Sequence, residues 1–197
     1  GDLTPPNGIE SPIATLFSTG LSDSRQALAP GSRDAHYTVI QSAQSVSPPP
    51  PSPSLVIEGH PAWLANDGTS RWLGPVNPGT TSVAAGNYRY RTQFDLSAFA
   101  PETARLQIQA AADNRITSVL LNGRSIGMSF EGFQSLSPAF TVTSGFTHGA
   151  NTLDFLWAND SNSPNPGGFR AQLQGTAKSR SNPESRLTPL AAQAAYF

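Results

Sequence analysis

Along residues 88–96, YRYRTQFDL, side chains alternate. Tyr88, Tyr90, Thr92, Phe94 and Leu96 fall on one side, and Arg89, Arg91, Gln93 and Asp95 on the other. A period of two marks a half-buried β-strand. The same period recurs in RLQIQAAA, with Leu106, Ile108 and Ala110 inward, in NTLDFLW, with Leu153, Phe155 and Trp157 inward, and in FRAQLQG, with Phe169, Ala171 and Leu173 inward. SVLLNGRSIG reads as two strands joined at Asn122-Gly123, the dipeptide that best accepts the positive φ angles of a type I′ turn. Eighteen prolines and 17 glycines, spread throughout, disfavour long helices. The pattern predicts an all-β chain folded as an antiparallel β-sandwich.

Nearer the N-terminus, IATLFSTG and AHYTVIQS read as strands separated by a turn-rich loop at residues 20–35. The proline run SPPPPSPS, residues 47–54, is expected to be extended, because consecutive prolines favour polyproline II. Residues 1–46 are too polar and too short to build a core of their own, so the run is read as a loop inside one domain. After Gly175 the alternation stops. The predicted organisation is an N-terminal extension at 1–13, a single sandwich domain at 14–177 and a C-terminal extension at 178–197.

Composition narrows the function classes. The formal net charge is -1 and only 13% of the 197 residues are charged, so no field draws the chain to nucleic acid or to an anionic membrane. There is no cysteine, which removes disulfides and thiolate chemistry together. The longest apolar runs, such as SVLL and LDFLW, fall far short of the roughly 20 residues of a membrane-spanning helix. A surface whose polarity comes mainly from serine, threonine, asparagine and glutamine suits work outside the cytoplasm. The first residue is Gly1, and we expect an exported, processed chain, periplasmic or at the cell surface.

No catalytic constellation stands out. Gly123-Arg124-Ser125-Ile126-Gly127 has the form G-x-S-x-G, but a nucleophile elbow needs a strand, a strained turn and a helix, and this Ser125 follows a hairpin turn. His36, His60 and His148 lack metal-ligand spacing. Asp67, Asp95, Asp113, Asp154 and Asp160 lie on different predicted elements, with none paired across a cleft. Hard oxygen ligands in NDSNSPN, residues 159–165, make Asp160 and Asn162 candidates for a structural calcium, although the spacing is not that of an EF-hand. In PAWLANDGTSRWLGP, residues 61–75, Trp63 and Trp72 bracket a polar turn. The rings form either the lid of a core or a platform for a sugar, with Asn66, Asp67 and Arg71 as the polar partners.

In sequence order, LFSTGLSD, DAHYTVI, PAWLANDGTSRWLGP, GNYRYRTQFDLSAF, AADNRITSVLLNGRSIG, FTVTSGFTHGANTLDFLWAND and GFRAQLQGTA resemble the galactose-binding-like jelly-roll modules of exported bacterial proteins of the PEP-CTERM-associated type. The resemblance runs from about residue 14 to 177, and LLNG with GANTLDF carries most of it. It implies a sandwich of eight or more strands, export across the inner membrane and no catalytic site. The chain departs from the group in having no VPEP motif, apolar helix or basic terminus after QGTA. Two functions follow as expectations. The first is a non-catalytic structural or docking subunit of an extracytoplasmic assembly, contacting other proteins through its termini and proline-rich loop. The second is a carbohydrate-binding accessory module that recognises glycans through Trp63, Asn66, Asp67, Arg71 and Trp72.

Overall fold

In the computed structural model, residues 8–180 are described. Eleven strands follow one another: β1 (Glu10–Pro12), β2 (Arg33–Gln41), β3 (Ser52–Val56), β4 (Leu73–Gly74), β5 (Gly86–Asp95), β6 (Arg105–Leu121), β7 (Arg124–Ser125), β8 (Phe130–Gly132), β9 (Phe140–Val142), β10 (Ala150–Asn159) and β11 (Gly168–Lys178), with one short 3-10 turn at Pro101–Thr103. Every strand pairing is antiparallel. The all-β antiparallel sandwich expected from the alternation is the fold observed.

β6 organises the two layers. Its first half, Arg105–Asp113, pairs with β11, while its second half, from Arg115, pairs with β10. One layer therefore contains β3, β2, β5, β10, the end of β6 and β7, and the other contains β1, β11, the start of β6 and β9. The segments RLQIQAAA and SVLL, read as separate strands, are one strand of 17 residues. The inward sets meet between the layers as predicted: Tyr88, Tyr90, Phe94, Leu153, Phe155 and Trp157 face Leu106, Ile108, Phe169, Ala171 and Leu173, all buried. Trp157 is at the centre, stacked on Tyr88 at 4.1 Å and touched edge-on by Tyr90.

Three segments differ from their sequence reading. IATLFSTG is not a strand. Ile13 and Leu16 to Gly20 are buried beside β11, where Ser18 Oγ and Thr19 Oγ1 accept the backbone N–H groups of Leu173 and Ala171 at 3.0 and 3.1 Å. Beside the two backbone bonds from Ile13 and Thr19 to the Gly175 and Ala171 carbonyls, side-chain oxygens thus take the place of the rest of a ladder, which frees the segment from strand geometry. β1 pairs Glu10–Pro12 with Thr176–Lys178, so part of the chain read as an N-terminal extension is in the sheet, and β11 continues past Gly175. The proline run divides: residues 47–51 are exposed and bent rather than extended as expected, while Ser52–Val56 is β3, bonded to β2. Most of the C-terminal extension, from residue 181, lies outside the described residues, as do residues 1–7.

Candidate binding groove at the open side of the sandwich

The tryptophan loop is a lid. Trp63 is 5% exposed and Trp72 fully buried, and they form a second apolar cluster with Ile57 and Ala111. Ala111 is on the outward face of β6, so the loop covers the outside of the sheet rather than its inside. The rings are tilted at 42° with centroids 4.6 Å apart, and each indole N–H is taken: Trp63 donates to Asp113 Oδ2 at 2.9 Å and Trp72 to the Leu64 carbonyl at 2.7 Å. Gly168 makes the approach feasible, since a Cβ there would lie 3.1 Å from the Trp63 ring. Neither ring offers a face to a ligand, which corrects the platform reading of Trp63 and Trp72.

The polar residues of the loop hold it shut. Asn66 donates to the Ile57 carbonyl at 3.0 Å and accepts from the Trp72 N–H at 2.7 Å. Asp67 Oδ1 accepts from the N–H groups of Thr69 and Ser70, closing an Asx turn. Arg170, outward on β11 and wholly buried, pins the loop from beneath: Nε donates to Ser70 Oγ and Nη1 to the Ala65 carbonyl, each at 2.7 Å, and Nη2 lies 3.2 Å from Asp67 Oδ2. Burial pushes the Arg170 guanidinium below its ordinary range, against the charge of Asp67. At Asp67 burial is outweighed by the Thr69 and Ser70 bonds and the Arg170 charge, so its carboxyl falls below the usual aspartate range. Of the five candidate ligand residues, Arg71 alone makes no side-chain hydrogen bond or ion pair among the described residues. It lines a shallow concavity with Glu58, His60 and Pro61, which also takes in Asn66 and the nearly buried Trp63, so three of the five candidates meet there.

Calcium ligation by Asp160 and Asn162 is not assembled either. Asp160 is bonded on both oxygens by Arg115, Nε to Oδ2 at 2.9 Å and Nη2 to Oδ1 at 3.2 Å, and Asn162 is exposed. Among the described residues no group of three or more His, Cys, Asp or Glu side chains is placed to hold a metal. Ser125 lies on the exposed two-residue strand β7, where its Oγ accepts the Gly127 N–H at 3.2 Å, and no helix follows it. No helix among these residues is long and apolar enough to cross a membrane.

A more substantial hollow lies elsewhere. Where β7 and β9 end their respective layers, residues 121–126 and 140–147 enclose a groove of about 870 Å³. Its walls carry the half-buried Phe140, Phe146 and Ile126, the hydroxyls of Ser125, Thr141, Thr143, Ser144 and Thr147, and Arg124. The volume is within the roughly 300–1,000 Å³ of small-ligand sites.

Two asparagines fix the shape of this groove. Asn151 is buried, with Oδ1 accepting the Thr147 N–H and Nδ2 donating to the Thr147 and Gly149 carbonyls, all between 2.8 and 3.0 Å. Asn122, in the predicted hairpin turn with φ of 50°, donates to Asn151 Oδ1 and to the Gly145 carbonyl and accepts the Thr152 N–H. The hairpin and the 143–149 turn are thereby stitched together, so both walls stand before any ligand arrives. Phe146 is braced edge-on by the buried Phe94, 6.2 Å away. None of these groove residues was singled out as a ligand contact from the sequence; the available signal was FTVTSGFTHG, two phenylalanines spaced among hydroxyl residues.

No protein-family model matches this chain, and no curated protein matches it. Among solved structures, similarity is found to the CBM36-1 domain of a multidomain xylanase from the hindgut metagenome of Trinervitermes trinervoides, with 10% identity over 89% of this chain and 100% of that one and a TM-score of 0.31. It is also found to a GH26-CBM35 β-(1,4)-mannanase of Podospora anserina, with 15% identity over 90% of this chain and 29% of that one and a TM-score of 0.31. Such TM-scores are too low to carry a ligand or a role from either structure to this chain.

Proposed function

We propose that this chain is a non-catalytic binding module that holds a glycan in the groove between residues 121–126 and 140–147. One observation carries the reading: a pre-shaped groove in which two phenylalanines are interspersed with five hydroxyl side chains. Aromatic rings pack on the apolar faces of sugars, and hydroxyl groups exchange hydrogen bonds with their edges. Prior fixation by Asn122 and Asn151 reduces the ordering cost of binding. No nucleophile with a base, and no pair of carboxylates, lines the groove.

The sugar contacts on this reading are Phe140 and Phe146, not the tryptophans. Affinity electrophoresis of the intact chain against soluble polysaccharides tests it. Retardation by at least one glycan is expected, lost in Thr143→Trp, which fills the groove from an exposed position. Retardation undiminished in that variant would place the ligand elsewhere. Export to the periplasm or cell surface belongs to the same proposal, supported by the low charge and hydroxyl-rich surface, and is checked by fractionating source cells.

A docking role has one supporting observation of its own. Pro48 to Pro51 are all exposed, and the segment is tethered by Arg33, which donates to the carbonyls of Ser47 and Pro53. An exposed, tethered proline segment, already held in one shape, suits recognition by a protein groove at small entropic cost. Cross-linking from position 49 in source extract tests it, with a discrete adduct expected.

A further inference from the structure

Charge in the groove is one-sided. Sugar hydroxyls need acceptors as well as donors, and the strongest acceptors a protein offers are carboxylates. No aspartate or glutamate lines the groove. The side-chain amide of Asn122 is consumed in stitching the walls. Ser125 Oγ already accepts from Gly127 and keeps its O–H and one lone pair for a ligand. What remains is a set of hydroxyls and the guanidinium of Arg124.

Arg124 is the single charged residue in the lining. It is exposed on β7, next to the hairpin turn, and makes no ion pair with any described residue. Three arginines of the same layer contrast with it: Arg89 and Arg91 are both bonded to the buried Asp154, and Arg115 to Asp160, while Arg33 is bonded to the Ser47 and Pro53 carbonyls. A guanidinium presents five donors in a planar fork that matches a carboxylate or sulfate, and it has no acceptor. The groove therefore has one positive charge, unpaired among the described residues, and no carboxylate in its lining to offset it.

Resting on the glycan reading above, we infer that the ligand of this groove is an acidic glycan, with an anionic substituent, a carboxylate or a sulfate, set against Arg124. The sugar rings lie along Phe140 and Phe146, and the hydroxyls of Ser125, Thr141 and Thr143 are donors to the remaining oxygens. The net charge of -1 for the whole chain gives no general attraction to polyanions, so the preference is local to this one side chain.

Matched pairs test it. Polygalacturonate and alginate are each compared with their methyl-esterified forms, and a chondroitin sulfate with its desulfated form, by calorimetry on the full chain at low salt. The wild type is expected to bind an acidic member about tenfold more tightly than its neutral counterpart, the worth of one charge-assisted hydrogen-bonded pair. Arg124→Gln should bring the two affinities together, and Thr143→Trp should abolish both. Which acidic family binds separates the carboxylate source from the sulfate source. Equal affinity for charged and neutral members, or an Arg124→Gln variant that keeps the full preference, overturns the acidic ligand and leaves the glycan reading standing. Binding to no member of the panel overturns both.

Discussion

The tryptophan loop and the groove rim are built from the same kinds of residue. NDGTS at 66–70 and TSGFTHG at 143–149 are both short, polar and glycine-containing, the first with Trp72 two residues beyond its end and the second including Phe146. One is closed and the other open. In the first, Arg170 rises from β11 and gathers Ser70, Ala65 and Asp67 over two buried indoles. In the second, Asn151 and Asn122 gather the backbone sideways and leave the side chains of Thr143, Ser144 and Phe146 around a hollow. The residue types do not distinguish lid from site; the direction in which the buried polar anchor pulls does.

Breaking the closed region should cost most. Trp72→Ala is expected to destabilise the chain by about 3–5 kcal/mol, as for large aromatic deletions in cores, read as a fall in the denaturant midpoint. A near-neutral result would return Trp72 to the surface. Arg170→Leu strands Ser70, two loop carbonyls and Asp67 at once and should cost about 3–5 kcal/mol, as when one partner of a buried charged network is removed. The groove should be unaffected by either change so long as the chain stays folded, which hydrogen exchange at residues 143–149 checks.

Breaking the open region should cost less stability and more function. Asn151→Ala removes the acceptor for the Thr147 N–H and for Asn122, an expected loss of about 1–3 kcal/mol for buried unsatisfied groups. Exchange at residues 145–149 should quicken and glycan retention weaken together. Loss of stability with unchanged retention would mean that the rim is not part of the site.

A smaller effect comes from Asp113 under the lid. Burial raises its carboxyl above the ordinary aspartate value of 3.8, against the bond from Trp63 and the charge of His60. The folded state therefore binds this proton more tightly than the unfolded one. The stability it lends is complete below about 3.8 and is lost as pH rises through the higher folded value. Asp113→Asn keeps an acceptor for Trp63 and lacks the titration, so it should gain on the wild type as pH rises through that window. Parallel stability curves would remove the effect. Smallest of all, Arg124→Gln should alter stability by no more than about 0.5 kcal/mol, as for exposed substitutions, so that any change it makes in binding is read directly.

Much of the framework was legible because one face of each strand is buried. β2, β5, β10 and β11 and the Asn122-Gly123 turn follow from alternation and turn chemistry, with edges extended by a few residues. Arg170 shows where that reasoning stops. Alternation places it outward on β11, correctly, yet it is buried because a loop about 100 residues earlier covers that face of the sheet. Trp63 and Trp72 were ambiguous for the same reason, since a lid's inner face is decided by a partner remote in sequence. IATLFSTG was misread because only Ile13 and Thr19 bond to β11 through the backbone there, and hydroxyl side chains take the N–H groups of Ala171 and Leu173. The groove escaped because its walls come from two segments, 121–126 and 140–147, that are brought together only by the fold.

β11 bonds to the start of the chain through β1, to β4 and to the first half of β6. The second layer is thus missing its central member until the last strand of the domain exists. During synthesis the aromatic inner face of the first layer must wait uncovered for residues 168–178. Folding is expected to be slow and limited by these distant pairings, and a chain cut short at residue 167 should aggregate rather than form half a sandwich.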